Sequence, residues 1–526
     1  MNSFDLRKKF VDFFKENNHE THQGASLIPK DVSVLFTTAG MQQFKEYYTH
    51  PDEASSQNIV TIQPCFRTSD IEAVGDDTHL TFFEMLGNFS FGGYFKKEAI
   101  QMADDFLTKD LQIEKQRISC SVFAGDDKNS ADSESAKILD EMGLSYQQCS
   151  REDNFWGPTG DEGPCGPTVE FYIDEIEVWN LVFNEYYKNR DGQYEPLKTK
   201  GVDTGMGLER MVAILNNLDN VYETDVFQSI MKKIEEISAK KYQDNVKSFR
   251  IIADHLKAAV FALNEGILPS NVERGYVVRR LIRRAIVKGN QIGIRENFTV
   301  KIAQEVFAVY ENAYSFGREN IIVELEKEEE KFRKTLKEGL KILQAKEELS
   351  GRDLFNLYQS WGLPLEISME EAERLKIKVE AKALSAYQKL FESHQELSRT
   401  ASAGMFKGGL AGSGEKETKF HTATHLLLAS LRQVLKDDVY QKGSNITAER
   451  LRFDFNWPEK LTDEQIKNVE EWTNDKITQN LPVTMEEMPL KKALESGATS
   501  IPCHQYPKVV KVFSIGNVSR EICGGP

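Results

Sequence analysis

The chain has 526 residues, of which 40% are hydrophobic and 28% are charged, and its net charge at pH 7 is −16. This length exceeds what one hydrophobic core supports, so we expect roughly three or four domains. No apolar run approaches the roughly 20 residues that span a bilayer, and no signal-peptide core begins the chain, so we expect no membrane partner. The acidic balance argues against DNA binding and leaves room only for a local basic face. Six scattered cysteines favour a reducing, cytoplasmic location.

Residues 1–235 alternate short β-rich runs with helical runs, separated by Gly and Pro. The clearest β-rich runs are residues 32–41, 117–125 and 176–187. Because these runs come in bunches and do not alternate regularly with helices, they predict a mixed, mainly antiparallel sheet, an α/β region of the α+β kind.

The pattern changes twice after this region. Residues 236–400 are almost wholly helical in pattern, and residues 321–349 have the spacing of a solvated helix that packs on a neighbour. Residues 401–417 are rich in glycine and predict a flexible linker. Residues 418–526 return to α/β character and predict a third, α+β domain.

Two stretches of the first region carry arginines suited to phosphate. Arg67 ends a strand and precedes a polar loop and an aromatic-rich strand, whereas Arg210 lies in the first turns of an apolar helix. A guanidinium offers a planar fork of donors that matches phosphate oxygens, so one arginine at each end can hold a bent triphosphate. Neither stretch is a Walker loop or a Rossmann glycine fingerprint, so those nucleotide folds are not supported.

The wording of these stretches, FFEMLGNFSFGGYFK and DTGMGLER, resembles motifs 2 and 3 of the class II aminoacyl-tRNA synthetases, and that of the alanyl-tRNA synthetase family in particular. The resemblance implies that alanine is activated by ATP with Mg²⁺ and then passed to the terminal ribose of tRNA(Ala). It implies catalytic roles for Arg67 and Arg210, since charge grows on the phosphate oxygens during the reaction. The implied ATP-binding residues are Arg67, His79 against the γ-phosphate, Phe83 stacked on adenine, Gly205, Gly207 and Arg210.

The same resemblance implies an alanine pocket. Its residues would be Met41, Arg67, Trp156, Val182 and Asp203. Asp203 would pair with the α-ammonium group, and bulky walls such as Trp156 and Val182 would enclose the methyl group. Both wall residues could equally be plain core residues. Cys165 has no second ligand nearby in the sequence and is better interpreted as a structural cysteine.

A second site near the end of the sequence has the spacing of metal ligands. His421 and His425 lie four residues apart, on one face of a predicted helix, and Cys523 follows about a hundred residues later. With the predicted strand at 441–455, this pattern resembles the editing domain of alanyl- and threonyl-tRNA synthetases, which implies Zn²⁺ held by these three residues and a histidine four positions after the cysteine. That position is 527, one past the given sequence, and Cys503 and His504 are alternatives.

Editing has a physical motive, because a hydrophobic pocket separates one methylene by only ~1–3 kcal/mol and rejects an added hydroxyl poorly. With the fourth ligand beyond the given sequence, we expect weak zinc binding and slow clearance of tRNA mischarged with serine or glycine. A small β-barrel that precedes the first histidine in the family has no counterpart here.

Residues 269–289 form the one strongly basic element. On the predicted helix, apolar residues form one stripe and Arg279, Arg280, Arg283 and Arg284 form the other, facing solvent where phosphates bind. A solvated face neutralised by the acidic body is the alternative. The flanking sequence resembles the tRNA-recognition domain of the family, which implies that the arginines, together with Arg274, contact tRNA.

In that family an asparagine and an aspartate read the G·U pair of the acceptor stem. Asn271 matches the first and Gln359 stands in place of the second. An amide both donates and accepts hydrogen bonds, so readout can survive in altered form.

Two other functions remain open from the sequence. One is a stand-alone hydrolase of mischarged tRNA with a vestigial synthetase region, and the other is a non-catalytic tRNA-binding paralogue. Both would be favoured by loss of Arg67 or Arg210, and both arginines are present. The sequence leaves the oligomeric state open.

Overall fold

The computed structural model divides the chain into two compact units. The first contains residues 1–346 and 357–376, and the second contains residues 347–356 and 377–526. The structure describes residues 1–31, 34–158, 160, 162–393, 415–436, 439–446, 451–457, 460–499 and 507–523. The predicted linker at 401–417 lies outside these ranges except for its last three residues, which begin a helix.

The first unit combines a large sheet with many helices. Its strands are β1 Glu20–His22, β2 Asn58–Phe66, β3 Phe82–Phe91, β4 Ile118–Phe123, β5 Ser145–Cys149, β6 Phe155–Trp156, β7 Gly163–Ile173, β8 Ile176–Lys188 and β9 Tyr194–Gly207. Its helices are α1 Ser3–Glu16, α2 Lys96–Asp105, α3 Ser133–Met142, α4 Arg151–Asn154, α5 Leu208–Leu215, α6 Asp225–Ser238, α7 Val246–Asn264, α8 Glu273–Gln291, α9 Thr299–Tyr310, α10 Arg318–Gln344, α11 Gly351–Trp361, which runs on from the second unit, and α12 Leu365–Arg374.

The sheet has the strand order β1-β2-β3-β9-β8-β7-β4-β5, and β6 pairs with β7. The pairs β1–β2 and β4–β5 are parallel, and the other neighbours along this order are antiparallel. The predicted mixed, mainly antiparallel α/β architecture is therefore confirmed. The long strands β3, β9, β8 and β7 lie side by side at its centre, and their ends provide the walls of the site described below.

One predicted β-rich run is not a strand. Within residues 34–41 the chain forms bends and then enters a 3₁₀ helix, Gly40–Tyr48. Met41, Phe44 and Tyr48 recur at helical spacing and are buried together against Phe89 and other aromatic residues of the sheet. Tertiary packing of these side chains overrides the β propensity of the run.

The main core lies between the sheet and the helices α1, α2 and α5. Phe10 and Phe14 are four residues apart on α1, so both point to the same face of the helix. Their ring centroids are 4.7 Å apart, and both pack with Phe106 and with Trp179 of β8 at centroid distances from 5.4 to 6.5 Å. This aromatic cluster packs α1 against one face of the sheet.

The helical region that follows the sheet belongs to the same compact unit. Helix α7 is buried along almost its whole length from Phe249 to Leu263, charged residues included. The predicted long helix at 321–349 is confirmed as α10 over Arg318–Gln344.

The second unit is α+β. It contains the helices Glu415–Leu435, Asp463–Thr478 and Leu490–Glu495, and the strand pair Glu348–Leu349 with Lys378–Val379. Its three-stranded antiparallel sheet is Val483–Pro489, Val509–Ile515 and Ser519–Ile522. The strand predicted at 441–455 is instead two antiparallel strands, Gln441–Ile446 and Leu451–Phe455. No helix within the described ranges combines the length and apolar character that crossing a bilayer requires.

Candidate active site

A cavity of about 360 Å³ opens in the first unit, where β2, β3, β7, β8 and β9 meet the start of α5. Most of the site residues expected from the sequence line it together. They are Arg67, His79, Phe83, Trp156, Val182, Asp203, Gly205, Gly207 and Arg210.

Arg67 and Phe83 lie together at one end of the cavity. Arg67 follows the last residue of β2, and the β2–β3 register pairs Cys65 with Phe83. The Arg67 guanidinium carbon is 5.0 Å from the centroid of the Phe83 ring, and its Nε donates to the Thr38 carbonyl at 3.2 Å. A cation and an aromatic face therefore lie side by side, an arrangement that suits a phosphate group and a nucleobase.

His79 is on the loop between β2 and β3 and is exposed. Its Nδ1 lies 2.5 Å from the Asp76 carboxylate, whose other oxygen accepts from the backbone N–H groups of Thr78 and His79 at 3.0 and 2.8 Å. Burial acts to raise the pKa of Asp76, but the hydrogen bonds from His79 and Thr78 outweigh it, and the pKa lies below its usual value. Asp76 stays ionised and fixes the imidazole ring.

Arg210 lies near the start of α5, which follows β9 directly. Its Nη1 donates to the Glu177 carbonyl at 2.7 Å and to the Glu177 carboxylate at 3.2 Å. About a third of the side chain is exposed. The second predicted cation thus also lines the cavity and is held by an acidic residue of β8.

Asp203 and Val182 are direct partners in the β8–β9 register. Asp203 is only 5% exposed, and this burial raises the pKa of its carboxyl to about 7. An isolated buried carboxylate is unfavourable unless it is neutralised by a proton or a cation. The site therefore has a place for a positive group next to an apolar wall.

Met41 does not line the cavity. It is fully buried in the cluster with Phe44, Tyr48 and Phe89, and Trp156 packs against that cluster. Met41 therefore belongs to the cluster against which Trp156 packs and is not among the residues that line the cavity.

Gly205 leaves room for the Met85 side chain. A Cβ at this position would lie 2.7 Å from the Met85 sulfur, so any other residue would displace the end of that flexible side chain.

A group of acidic residues in the cavity was not found by sequence reasoning. Glu170 accepts hydrogen bonds from Asn180 Nδ2 at 2.9 Å and from the Tyr172 hydroxyl at 2.5 Å, and Glu177 lines the same cavity. Burial raises the pKa of Glu170 to about 7. Paired carboxylates are the ligands that Mg²⁺ prefers. The signal in the sequence is a glutamate within the apolar strand β7, a position where an acidic side chain is rarely buried without a partner.

Four arginines of α8, Arg279, Arg280, Arg283 and Arg284, are largely buried, so the expectation that they face solvent is wrong. Arg283 and Arg284 are only 8% and 1% exposed. Arg279 and Arg283 pair with Glu328, Arg284 pairs with Glu370, and Arg280 pairs with Glu72 and Glu366. Helices on both sides of α8 supply these carboxylates, so the second stripe of the helix is covered by acidic neighbours.

The other residues expected to contact tRNA lie nearer the surface. Asn271 and Gln359 are both exposed. Asn271 Oδ1 accepts a hydrogen bond from Arg279, and Arg274 donates to the Leu35 carbonyl. Asn271 and Gln359 are therefore accessible to a partner. The four arginines of the basic stripe, which lie between them in the sequence, pair with carboxylates inside the protein.

The expected zinc ligands come together in the second unit. One donor atom each from His421, His425 and Cys523 lie within 4.8 Å of one another, and His421 Nε2 is 3.2 Å from the cysteine sulfur. Burial would raise the pKa of Cys523, but hydrogen bonds with both histidines lower it to about 6. Two imidazoles and a thiolate are a donor set that suits Zn²⁺.

Glu521 completes the surroundings of this cluster. Its carboxylate lies 2.7 Å from His425 Nδ1, which fixes the orientation of that ring. Sequence reasoning missed Glu521, although it lies two residues before Cys523 on the same strand end. Cys503 and His504 lie outside the described residues.

Comparisons with known proteins agree with this geometry. The family model described as "tRNA synthetases class II (A)" matches residues 5–427. The alanine–tRNA ligase of Treponema denticola is 46% identical over 569 residues, which cover 99% of this chain and 93% of that protein. That of Borrelia hermsii is 43% identical over 560 residues, which cover 99% and 94%.

Among solved structures, apo histidyl-tRNA synthetase of S. aureus is 13% identical with a TM-score of 0.29, covering 40% of this chain and 66% of that chain. This likeness is too low to bear on function. The extent and identity of the sequence matches decide the family. The chain belongs to the class II tRNA synthetases and, within them, to the alanine–tRNA ligase family.

Proposed function

We propose that this chain activates alanine with ATP and transfers it to the 3′ end of tRNA(Ala), with Arg67, Asp203 and Arg210 as the principal residues of activation. The observation that carries these roles is one cavity with two arginines and a buried aspartate whose pKa burial raises to about 7. The cations suit the triphosphate, and the aspartate suits the ammonium group of an amino acid.

In the activation step an alanine carboxylate oxygen attacks the α-phosphorus, an O–P bond forms, and pyrophosphate leaves. Negative charge grows on the phosphate oxygens as this happens. Arg67 stabilises that charge, and Phe83 beside it stacks on adenine. Arg210 and His79 hold the outer phosphates, so that the pyrophosphate is already neutralised when it leaves.

The amino-acid side of the site selects by charge and size. Asp203 accepts the α-ammonium group, which replaces the proton that burial otherwise favours on this carboxyl. Val182, directly opposite on β8, and Trp156 restrict the space for the side chain. Met41 acts indirectly, through the cluster against which Trp156 packs.

Mg²⁺ is expected for a class II synthetase, and the cavity offers oxygen ligands for it. We assign Glu170 and Glu177 to this role because both carboxylates line the cavity that would contain the triphosphate. The bound ion would offset charge on the phosphate oxygens. Asn180 donates to Glu170 and so orients its carboxylate.

For tRNA recognition we retain the two exposed amides, Asn271 and Gln359, as readers of the acceptor stem. The buried arginines of α8 are paired with glutamates and are not part of this proposal. An enzyme that charges tRNA acts in the compartment that contains its tRNA substrate, which supports the cytoplasm as its location.

A second activity, zinc-dependent clearance of mischarged tRNA, is proposed for the second unit. His421, His425 and Cys523 would hold the ion, which would supply a Lewis acid when bound, and Glu521 would orient His425. The limited power of a small apolar pocket against serine and glycine gives this activity its purpose.

Alanine-dependent exchange of pyrophosphate into ATP tests the activation step. We expect exchange with alanine, much less with serine or glycine, and charging of tRNA(Ala) by the same preparation. A protein that clears seryl-tRNA without exchange would be the hydrolase, and one that only binds tRNA would be the non-catalytic paralogue.

A further inference from the structure

The loop between β2 and β3, residues 67–81, supplies part of the cavity wall. Asp70, Thr78, His79 and Leu80 all line the cavity from this loop. A loop of this length does not hold four side chains in place by itself, because each ordered residue costs roughly 1–2 kcal/mol of conformational entropy. Its position has to be set by contacts with its surroundings.

Arg250 of α7 makes three of these contacts. It is only 7% exposed. Its Nη1 donates to the carbonyls of Gly75 and Asp76 at 3.1 and 2.7 Å, and its Nη2 lies 2.8 Å from the Asp77 carboxylate. Its Nε is used elsewhere, in a hydrogen bond of 2.8 Å to the Tyr242 hydroxyl.

Gly75 lies where the loop backbone meets α7. Its φ is +119°, which strains any other residue, and a Cβ there would lie 2.9 Å from Lys247 of α7. The loop backbone therefore approaches α7 closely at the residue whose carbonyl Arg250 holds.

The backbone that Arg250 holds is that of Asp76, whose side chain fixes His79. One Asp76 oxygen accepts from the backbone N–H groups of Thr78 and His79, and the other pairs with His79 Nδ1. His79 itself is exposed, and its carbonyl accepts from the Tyr222 hydroxyl at 3.1 Å. The chain of contacts from α7 to the imidazole is thus Arg250, Asp76 and then His79.

We propose that Arg250 is a positioning residue for ATP binding, which acts by holding Asp76 where its carboxylate aims His79 at the outer phosphates. The proposal rests on the proposed role of the cavity in ATP-dependent activation. Arg250 is not among the residues that line the cavity, and it contacts the loop at Gly75, Asp76 and Asp77.

Two further buried side chains hold the ends of the same loop. Asp254 of α7 accepts from the Thr81 N–H at 2.8 Å, and Arg284 of α8 donates to the Ile71 carbonyl at 2.7 Å. His255 lies between them, 2.9 Å from each. The sequence around α7 and α8 predicts a tRNA-recognition region. The same two helices also set the position of the loop that carries His79.

The test compares Arg250→Met with Tyr242→Phe in alanine-dependent exchange. Arg250→Met keeps the length of the side chain but removes its donors to the loop, and Tyr242→Phe removes only the Arg250 contact that points away from it. We expect the KM for ATP to rise about tenfold in the first variant, the order of effect of a lost charge-assisted hydrogen bond, and to stay within about twofold in the second. The KM for alanine should stay within about twofold in both.

A double-mutant cycle separates positioning from a general structural role. If Arg250 acts through His79, then Arg250→Met should add less than about twofold to the KM for ATP in a His79→Ala background. Arg250→Lys, which keeps a donor, should restore part of the ATP affinity. The same factor in both backgrounds, or equal increases in KM for ATP and alanine, would overturn the proposal.

Two controls complete the design. If Arg250→Met does not fold, Asp76→Ala tests the same chain of contacts from an exposed position and should give the same selective loss of ATP affinity; an unchanged KM for ATP there would refute the role of Asp76. Direct ATP binding by equilibrium dialysis separates the two ideas, since a wild-type chain that binds ATP but shows no exchange would refute the proposed function and not the positioning role.

Discussion

The protonation state of Asp203 should control alanine binding near neutral pH. Burial raises the pKa of this carboxyl to about 7, and only the ionised form can pair with an ammonium group. About a tenth of the sites are ionised at pH 6 and about nine-tenths at pH 8, and the apparent Kd is the intrinsic value divided by that fraction. The Kd for alanine should therefore fall about tenfold as the pH rises from 6 to 8, while alanine itself remains charged.

Isothermal titration calorimetry measures both the Kd and the proton balance. At pH 6, alanine binding should release nearly one proton per site, seen as a heat that depends on the ionisation enthalpy of the buffer, and at pH 8 it should release almost none. Asp203→Asn should bind alanine weakly at every pH and release no proton, while its KM for ATP changes little. A wild-type Kd that is flat from pH 6 to 8 would refute the assignment of Asp203 as the ammonium partner.

The same shift has a consequence for stability, with the opposite sign to that of a salt-bridged aspartate. The pKa of Asp203 rises from its ordinary value of 3.8 to about 7 in the folded protein. Folding therefore favours the protonated form, and stability falls as the pH rises from about 4 to about 7. This pKa difference corresponds to roughly 4 kcal/mol as an upper limit. Asp203→Asn removes this titration, so its melting temperature relative to wild type should increase across that pH range.

Four further predictions concern other residues of the chain. Arg67→Ala and Arg210→Ala should each reduce the exchange rate by about 10²–10³, the usual loss for a donor that faces charge growing in the transition state. Glu170→Gln should raise the Mg²⁺ concentration needed for half-maximal exchange, measured by titration at fixed ATP. Arg284→Ala should lower the free energy of urea-induced unfolding by roughly 1–3 kcal/mol, because it removes the donor to the Ile71 carbonyl and one of the two cations, Arg284 and Lys288, that pair with Glu370. Cys523→Ser should reduce the zinc retained after dialysis, measured by atomic absorption, and slow the deacylation of seryl-tRNA.

These predictions have distinct failure criteria. Near-normal exchange in Arg67→Ala would remove it from the phosphate site, and an unchanged Mg²⁺ requirement in Glu170→Gln would move the metal elsewhere. A stable Arg284→Ala with weakened tRNA binding would return α8 to the role inferred from the sequence. Stoichiometric zinc retained by Cys523→Ser would show that this cysteine is not a ligand.

The two arginines that we propose face phosphate could be predicted from the sequence because their chemistry is local. Arg67 at a strand end and Arg210 at a helix start are recognisable within a few residues of each, and the structure brings both to one cavity. Asp203 was also found, but the pKa that controls its behaviour depends on burial by β3 and β8, which are distant in sequence. Glu170 could not be predicted from the sequence, because its place in the cavity depends on the pairing of β7 with β8.

The arginines of α8 show the limit of reading charge from one helix. Their spacing defined a basic stripe correctly, yet the stripe is exposed only if no acidic neighbour covers it. Glu328 and Glu370 lie on α10 and α12, and nothing in the pattern of α8 indicates that these helices approach it. A solvated phosphate-binding face and a buried ion-paired face share one sequence pattern, and only tertiary structure separates them.

That burial changes what the basic helix does. Arginine keeps its charge in a buried site, so α8 needs glutamates for neutrality and can use its remaining donors on backbone carbonyls. Arg284 does this at Ile71, and Arg250 of the neighbouring helix does it at Gly75 and Asp76. Both contacts hold the loop that carries His79. The basic stripe of α8 therefore acts on the cavity through the loop backbone, since none of its arginines is among the residues that line the cavity.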